Sequence, residues 1–466
     1  MAANAKNLIG LTGIPLVMVL GNSMLIPVLP TMQAKMDLNS FQTSFLITAF
    51  SIAAGIVIPF AGYLSDRFNR KVVITAGLIL YGLGGLLAGL AALWWDSYAM
   101  IMAGRVLQGI GAAGTAPIAM ALVGDLFNGS EESRALGLLE TSNGLGKVLS
   151  PIFGSLLALI AWYMVFLAFP AICGLVLFLF LFLVKEKKKQ KEPKPVKQYI
   201  HSISQVFKQH GKWLIPAFFI GSICLFTLFG VLFYLSDLLE DRYNIDGVLK
   251  GGFLAIPLLV MSITAYVTGL VIKKKLTLMR LFVIVGMVLL ASSYVIASFM
   301  NSAYFLIGVL VIGSLGTGMI LPCLNSMIIG AVKKDERGMI TSLYSGVRFI
   351  GVAVGPPVFT WLLGFSKTIM FYSIAGLSAL FAVVAFFFLK PKTAESAQGN
   401  GQNAEEQEGE QQEQQKELAD FDEMAYILQI KAESREKKER SEAEKALGLD
   451  MNDLIDHLLK KQKEKG

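Results

Sequence analysis

Twelve apolar runs govern what this chain can fold into. They fall at about 8–31, 42–64, 72–93, 97–123, 133–158, 162–184, 213–236, 251–272, 278–299, 303–329, 337–362 and 367–389. Each is close to the roughly 20 residues that an α-helix needs to cross the hydrocarbon core of a bilayer. Lipid offers backbone N–H and C=O groups no partner, so every run must satisfy its own backbone as a helix. The composition agrees: 54% of residues are hydrophobic and only 16% are charged, against about 25% charged in soluble domains. The fold class is therefore an all-α polytopic membrane protein. A soluble enzyme, a disordered chain and a disulfide scaffold are excluded. Cys173, Cys224 and Cys323 lie inside apolar runs and read as small buried hydrophobes. His201, His210 and His457 lie outside every run, so no metal or haem site is expected, and no other cofactor.

Connections are short except for residues 185–212, which carry nine Lys/Arg, and the segment after 390. This divides the chain into a six-helix N-terminal bundle (1–184), a basic linker (185–212), a six-helix C-terminal bundle (213–389) and a tail (390–466). Lys and Arg accumulate on the cytoplasmic side of membrane helices. With the N-terminus inside, the inner segments hold 21 of them and the outer loops only Lys35, Arg242, Lys250 and Lys367. Both termini are thus expected in the cytoplasm, with inner-leaflet lipid rather than nucleic acid as the partner of the basic body. The tail opens with a Gln/Glu-rich stretch (394–416) too polar to build a core. Two helical patterns follow, at 417–446 and after the N-cap Asp450, the second with Met451, Leu454, Ile455, Leu458 and Leu459 on one stripe.

Four motifs then appear in register. The loop after the second run reads Gly62-Tyr63-Leu64-Ser65-Asp66-Arg67-Phe68-Asn69-Arg70-Lys71. An acid at a helix end suits the positive N-terminus of a neighbouring helix, and the basic residues suit phosphate headgroups. This G-x-L-x-D-R-x-x-R-K pattern resembles the signature loop of the major facilitator superfamily. Gly21-Asn22 through Pro27 and Pro30 in the first run is similar to the first-helix motif of its twelve-span drug/proton antiporters. Arg105-Val106-Leu107-Gln108-Gly109-Ile110-Gly111 resembles the motif associated there with proton transfer. Gly146 through Pro151 and Gly154 resembles the antiporter motif of the fifth helix, with Ser150 and Ser155 replacing two small glycines. Gly351-Val352-Ala353-Val354-Gly355-Pro356 repeats that last motif six runs later. The resemblance implies two six-helix bundles related by a pseudo-twofold axis, rocking about a midplane site. Gly109 through Gly114 also fits a dinucleotide fingerprint, but it lies inside an apolar run with no preceding strand, and reads as small residues for helix packing.

Within the runs the ionisable residues are Arg105, Glu140, Lys147 and Arg348. Each costs roughly 3 kcal/mol or more at the bilayer centre, which makes each a candidate for function; the bland alternative is a charge that fixes helix packing. Glu140 and Lys147 are seven residues apart and share a helix face. Three cations against one acid favour an anionic, zwitterionic or neutral amphipathic substrate over a strongly cationic one. The resemblance implies a proton-coupled antiporter exporting amphipathic small molecules, and no enzyme. Glu140 and Arg105 would couple protons, while Lys147, Arg348, Asn22 and Gln108 would line the substrate cavity. Gly62, Asp66, Arg67, Arg70, Lys71, Gly146, Pro151, Gly154, Gly355 and Pro356 would govern the conformational change. An importer or flippase on the same fold is the alternative. Phenylalanines of the seventh run (Phe218, Phe219, Phe226, Phe229, Phe233) and Tyr234 either line a wet cavity or face lipid.

Overall fold

The computed structural model describes residues 2–127, 129–186, 196–272, 275–300, 302–332, 336–390, 455–457 and 459–461. Twelve helical segments follow in order: α1 (Lys6–Lys35), α2 (Ser40–Arg67), α3 (Arg70–Trp95), α4 (Tyr98–Leu126), α5 (Gly129–Ala158), α6 (Met164–Leu183), α7 (Val196–Tyr243), α8 (Gly247–Ile272), α9 (Leu276–Phe299), α10 (Ala303–Gly330), α11 (Arg337–Leu363) and α12 (Lys367–Phe388). Eleven are long and apolar enough, among the described residues, to cross a membrane. The exception is α5, whose interior carries Glu140, Asn143 and Lys147. It keeps a polar face.

The breaks between segments have local causes. In α1 the helix stops at Ser23, passes through a 3₁₀ turn at Ile26–Val28 and resumes at Leu29, because Pro27 and Pro30 supply no N–H to the ladder. Asn39 caps α2 in a full capping box with Gln42, and Ser97 caps α4 through the Met100 amide. Tight reversals fall at Asp96 and Gly247, both at positive φ.

The packing has a repeat that follows the sequence repeat. In the first half α1 packs on α5 and α6, α2 on α4, and α3 on α4 and α6. In the second half α7 packs on α11 and α12, α8 on α10, and α9 on α10 and α12. Each pair is the other advanced by six helices. The halves meet along two seams, α2 with α11 and α5 with α8, and adding six to one seam gives the other. The molecule is two six-helix bundles with pseudo-twofold symmetry.

Glycines allow these approaches. A Cβ on Gly346 would lie 2.6 Å from the Gly55 carbonyl oxygen, and one on Gly251 would lie 2.6 Å from that of Pro151. Gly109 and Gly111 press α4 against the backbones of Phe50 and Tyr81, so the fingerprint-like stretch is indeed packing. Gly313, Gly316 and Gly318 of α10 serve α9 and α8 in the same way.

The expected linker is only partly a separate element. Residues 196–212 are the first turns of one 48-residue helix continuous with the seventh span, and Tyr199 meets Tyr63 of α2 edge-on, ring centroids 5.0 Å apart. The seventh-span aromatics divide: Phe218, Phe226, Phe233 and Tyr234 are buried, while Phe219 is exposed on the lipid side. Residues 187–195 of the linker, the Gln/Glu-rich stretch, the 417–446 pattern and Asp450 lie outside the described residues. So do Met451, Leu454 and Leu458; Ile455 and Leu459 are helical and exposed.

Candidate functional site

Arg105 of α4 is fully buried, yet each of its three guanidinium nitrogens donates to a protein oxygen. Nε donates to the Leu46 carbonyl at 3.0 Å, Nη1 to the Gly21 carbonyl at 2.9 Å and to Gln108 Oε1 at 2.8 Å, and Nη2 to Asn22 Oδ1 at 2.6 Å. Its Cζ sits 4.6 Å from the centroid of the Phe50 ring. Asn22 passes the contact on, donating to Ser51 Oγ at 2.7 Å. The break in α1 after Ser23 places Asn22 where it can reach across to α4, and frees the Gly21 carbonyl to accept from Arg105. Asn22 and Gln108, expected to line the cavity, are instead buried members of this cage. A buried cation is tolerable when its donors are satisfied; Arg105 places four of its five N–H groups on protein oxygens without any ligand.

The second cluster is arranged differently. On α5, Leu138, Leu145, Leu149 and Leu156 are exposed and mark the lipid face. At 3.6 residues per turn, Glu140 and Lys147 fall on the opposite side, between the stripe packed on α1 and the stripe packed on α8. The α1 stripe is fixed by Ser142 Oγ donating to the Thr12 carbonyl at 2.5 Å. The α8 stripe is fixed by Gly144 against Ser262. Glu140 is exposed on that interior face. Lys147 lies within electrostatic reach of both Glu140 and Arg348. Arg348, on α11, lays its Cζ 4.8 Å from the Tyr344 ring centroid, and its buried Nε has no hydrogen-bond partner. One acid and two cations thus converge from both bundles on a common interior face.

The loop motif is tied up locally. Arg70 bridges Asp66 at 3.4 Å and also pairs with Asp125. Lys71 Nζ donates to the carbonyls of Leu181 and Val184 at 2.9 and 2.6 Å, closing the C-terminus of α6, where a cation is favoured. Of the two expected partners of these basic residues, lipid headgroups or neighbouring acids, Arg70 meets the acids and Lys71 the end of α6, while Arg67 is exposed. One acid that faces a helix N-terminus is flagged by no sequence motif. Glu186 accepts from the Arg70 and Lys71 amides at 2.9 and 2.8 Å. Gly62 lies against Ser342 of α11. The motif of α5 and its repeat act alike: Gly154 abuts the Met24 backbone of α1, and Gly355 the Phe226 backbone of α7. Gly146 faces Leu16, and Pro151 and Pro356 both lie inside their helices.

Two further charges are not apparent from the apolar runs. Asp237 sits one residue past the apolar run of the seventh span, but the helix continues and turns it inward, with Oδ1 buried and unpartnered. Lys250, expected in an outer loop, is completely buried and pairs with Glu240 and with Asp246 at 3.2 Å. The interior therefore holds more than one acid. An Asp or Lys just outside an apolar run, on a helix that continues, is the signal that finds both.

Comparison with known proteins places these features. The sequence profile of the Major Facilitator Superfamily matches residues 11–291 and 279–436. The Bacillibactin exporter of Bacillus subtilis is 47% identical over 399 residues, covering 85% of this chain and 99% of that protein. The class C tetracycline resistance protein of Escherichia coli is 26% identical over 354 residues, 73% of this chain and 85% of its own. Among solved structures, a bacterial homologue of the human lysosomal transporter Spinster, inward-facing and unoccupied, superposes with a TM-score of 0.69 at 16% identity, over 84% of this chain and 98% of that one. The human organic anion transporter MFSD10 gives 0.66 at 19% identity, over 82% and 99%. The fold, the repeat and these matches agree: this chain is a multi-pass membrane transporter that belongs to the major facilitator superfamily.

Proposed function

We propose that the chain is a proton-coupled antiporter that exports an amphipathic small molecule carrying negative charge, bacillibactin or a compound like it, across the cell membrane. The observation that carries this reading is the interior face shared by Glu140, Lys147 and Arg348. A cation pair contributed by two bundles can hold an anionic group only while the bundles are apposed, and a carboxylate beside a lysine can exchange that pairing for a proton. Protonation shifts the conformational balance only if the carboxyl meets different surroundings in the two states; Glu140, between the α1 and α8 stripes, lies where rocking changes its neighbours. Arg105, in its cage, acts on this site by fixing α1, α2 and α4 together.

The charge bias of the loops supports a cytoplasmic location for the Asp66 end and both termini. Residues 1–184 and 213–389 would move as the two bundles, with 185–212 between them, 390–466 in the cytoplasm and lipid around the apolar belt. Gly62 against Ser342 brings the end of α2 beside the start of α11, one turn from Asp66, which supports a role for Asp66 as a latch of the inward-closed state.

The test is transport in proteoliposomes under an imposed pH gradient. Glu140→Gln is expected to abolish gradient-driven export of bacillibactin while the protein still elutes and melts as the parent does. Normal pH-driven export by that variant would overturn the assignment, and accumulation in the opposite direction would favour an importer.

A further inference from the structure

A chamber lies at the end of the molecule away from Asp66, beside the start of α2. Its volume is about 300 Å³ and its walls come from both bundles: Ser40 from α2, Phe233, Tyr234 and Asp237 from α7, Phe359 and Thr360 from α11. That volume is at the lower end of the range of small-molecule sites, about 300–1,000 Å³. Asp237 carries its only charge. Asp237 Oδ1 is buried and accepts no hydrogen bond. An uncompensated carboxylate is costly to bury. The nearby ammonium of Lys250 is already committed to Glu240 and Asp246. The segment from 237 to 250 holds four acids (Asp237, Glu240, Asp241, Asp246) against two cations, Arg242 and Lys250, so the local field is negative. Three aromatic rings, Phe233, Tyr234 and Phe359, share the wall with Ser40, Thr360, Leu363 and Gly364. Phe359 stacks at a tilt on Phe226, centroids 5.8 Å apart, and Tyr234 stands edge-on to Phe371 at 5.6 Å, so both rings are held by neighbours.

We infer that this chamber is a binding site for a small organic cation with an apolar body, an alkyl- or arylammonium, whose charge pairs with Asp237 and whose body packs on Phe233, Tyr234 and Phe359. Aromatic faces attract quaternary ammonium groups electrostatically, and a carboxylate among them supplies the missing counter-charge. An inorganic cation would leave the aromatic wall unused, and an anion is excluded by the field. The site is separate from the Glu140 face and takes ligand of opposite charge, so it does not depend on the export reading above.

The experiment is equilibrium binding to the full chain in lipid nanodiscs, using benzyltrimethylammonium and its uncharged carbon isostere neopentylbenzene. The cation should bind and the isostere should bind about tenfold more weakly or worse, a difference of about 1.4 kcal/mol. Asp237→Asn should erase that preference for the cation. Thr360→Phe, which fills the chamber from its wall and leaves the carboxylate in place, should block both compounds. It decides the matter if Asp237→Asn does not fold. Equal binding of cation and isostere, full cation affinity in folded Asp237→Asn, or undiminished binding in Thr360→Phe would each overturn the assignment, as would absence of binding to the parent protein.

Discussion

Two arginines within the helices, Arg105 fully buried in the first bundle and Arg348 half-buried in the second, are placed in contrasting surroundings. Both sit within membrane helices and both lie over an aromatic ring. Arg105 donates to Leu46, Gly21, Gln108 and Asn22. Arg348 keeps a buried N–H that nothing in the described protein accepts. Desolvating a cation is costly wherever it occurs, but only in the first case does the chain itself compensate. In the proposed reading the first arginine is a bolt and the second an offer to a ligand.

Substitutions can break that contrast or sharpen it. Arg105→Ala should have the largest effect, because it strands Asn22, Gln108 and two carbonyls at once. A loss of about 3–5 kcal/mol is expected, read as a large fall in the melting temperature of the purified protein, with transport lost alongside. If Arg105→Ala melts normally but cannot transport, the cage is functional and the contrast fails. Arg348→Gln should do the reverse. Its stability should change by under about 1 kcal/mol, while the half-saturating substrate concentration rises about tenfold; Arg348→Lys should recover part of that loss. Asp66→Asn belongs to neither class. Asp66 is half-exposed and Arg70 retains Asp125, so a surface pair of about 0–1 kcal/mol is removed. Turnover should slow by about two- to threefold, and an unchanged rate in single-turnover vesicle assays would remove Asp66 from the conformational machinery.

Much of this architecture is legible in the amino-acid sequence. Apolar runs and lipid's refusal to solvate the backbone fix the helices, and the six-run repeat of the Gly-Pro motif fixes their arrangement. The heptad spacing of Glu140 and Lys147 already places both on one face. Other features follow from what lies across the fold. Gln108 shares a helix face with Arg105, three residues away, but nothing local says that Asn22 faces Arg105 rather than a substrate, since that pairing spans 83 residues. Nothing local assigns Lys71 to the end of α6 or Glu186 to the start of α3. Asp237 and Lys250 are misplaced by hydropathy for another reason: hydropathy ends a span where apolar residues stop, whereas a helix ends where its backbone loses partners.

The two seams, α2 on α11 and α5 on α8, are one contact written twice, as the interface of a homodimer is. In a homodimer neither copy of a contact can part without its twin. In the proposed rocking cycle, the same geometry means that a single covalent staple, placed across either seam alone, would arrest transport.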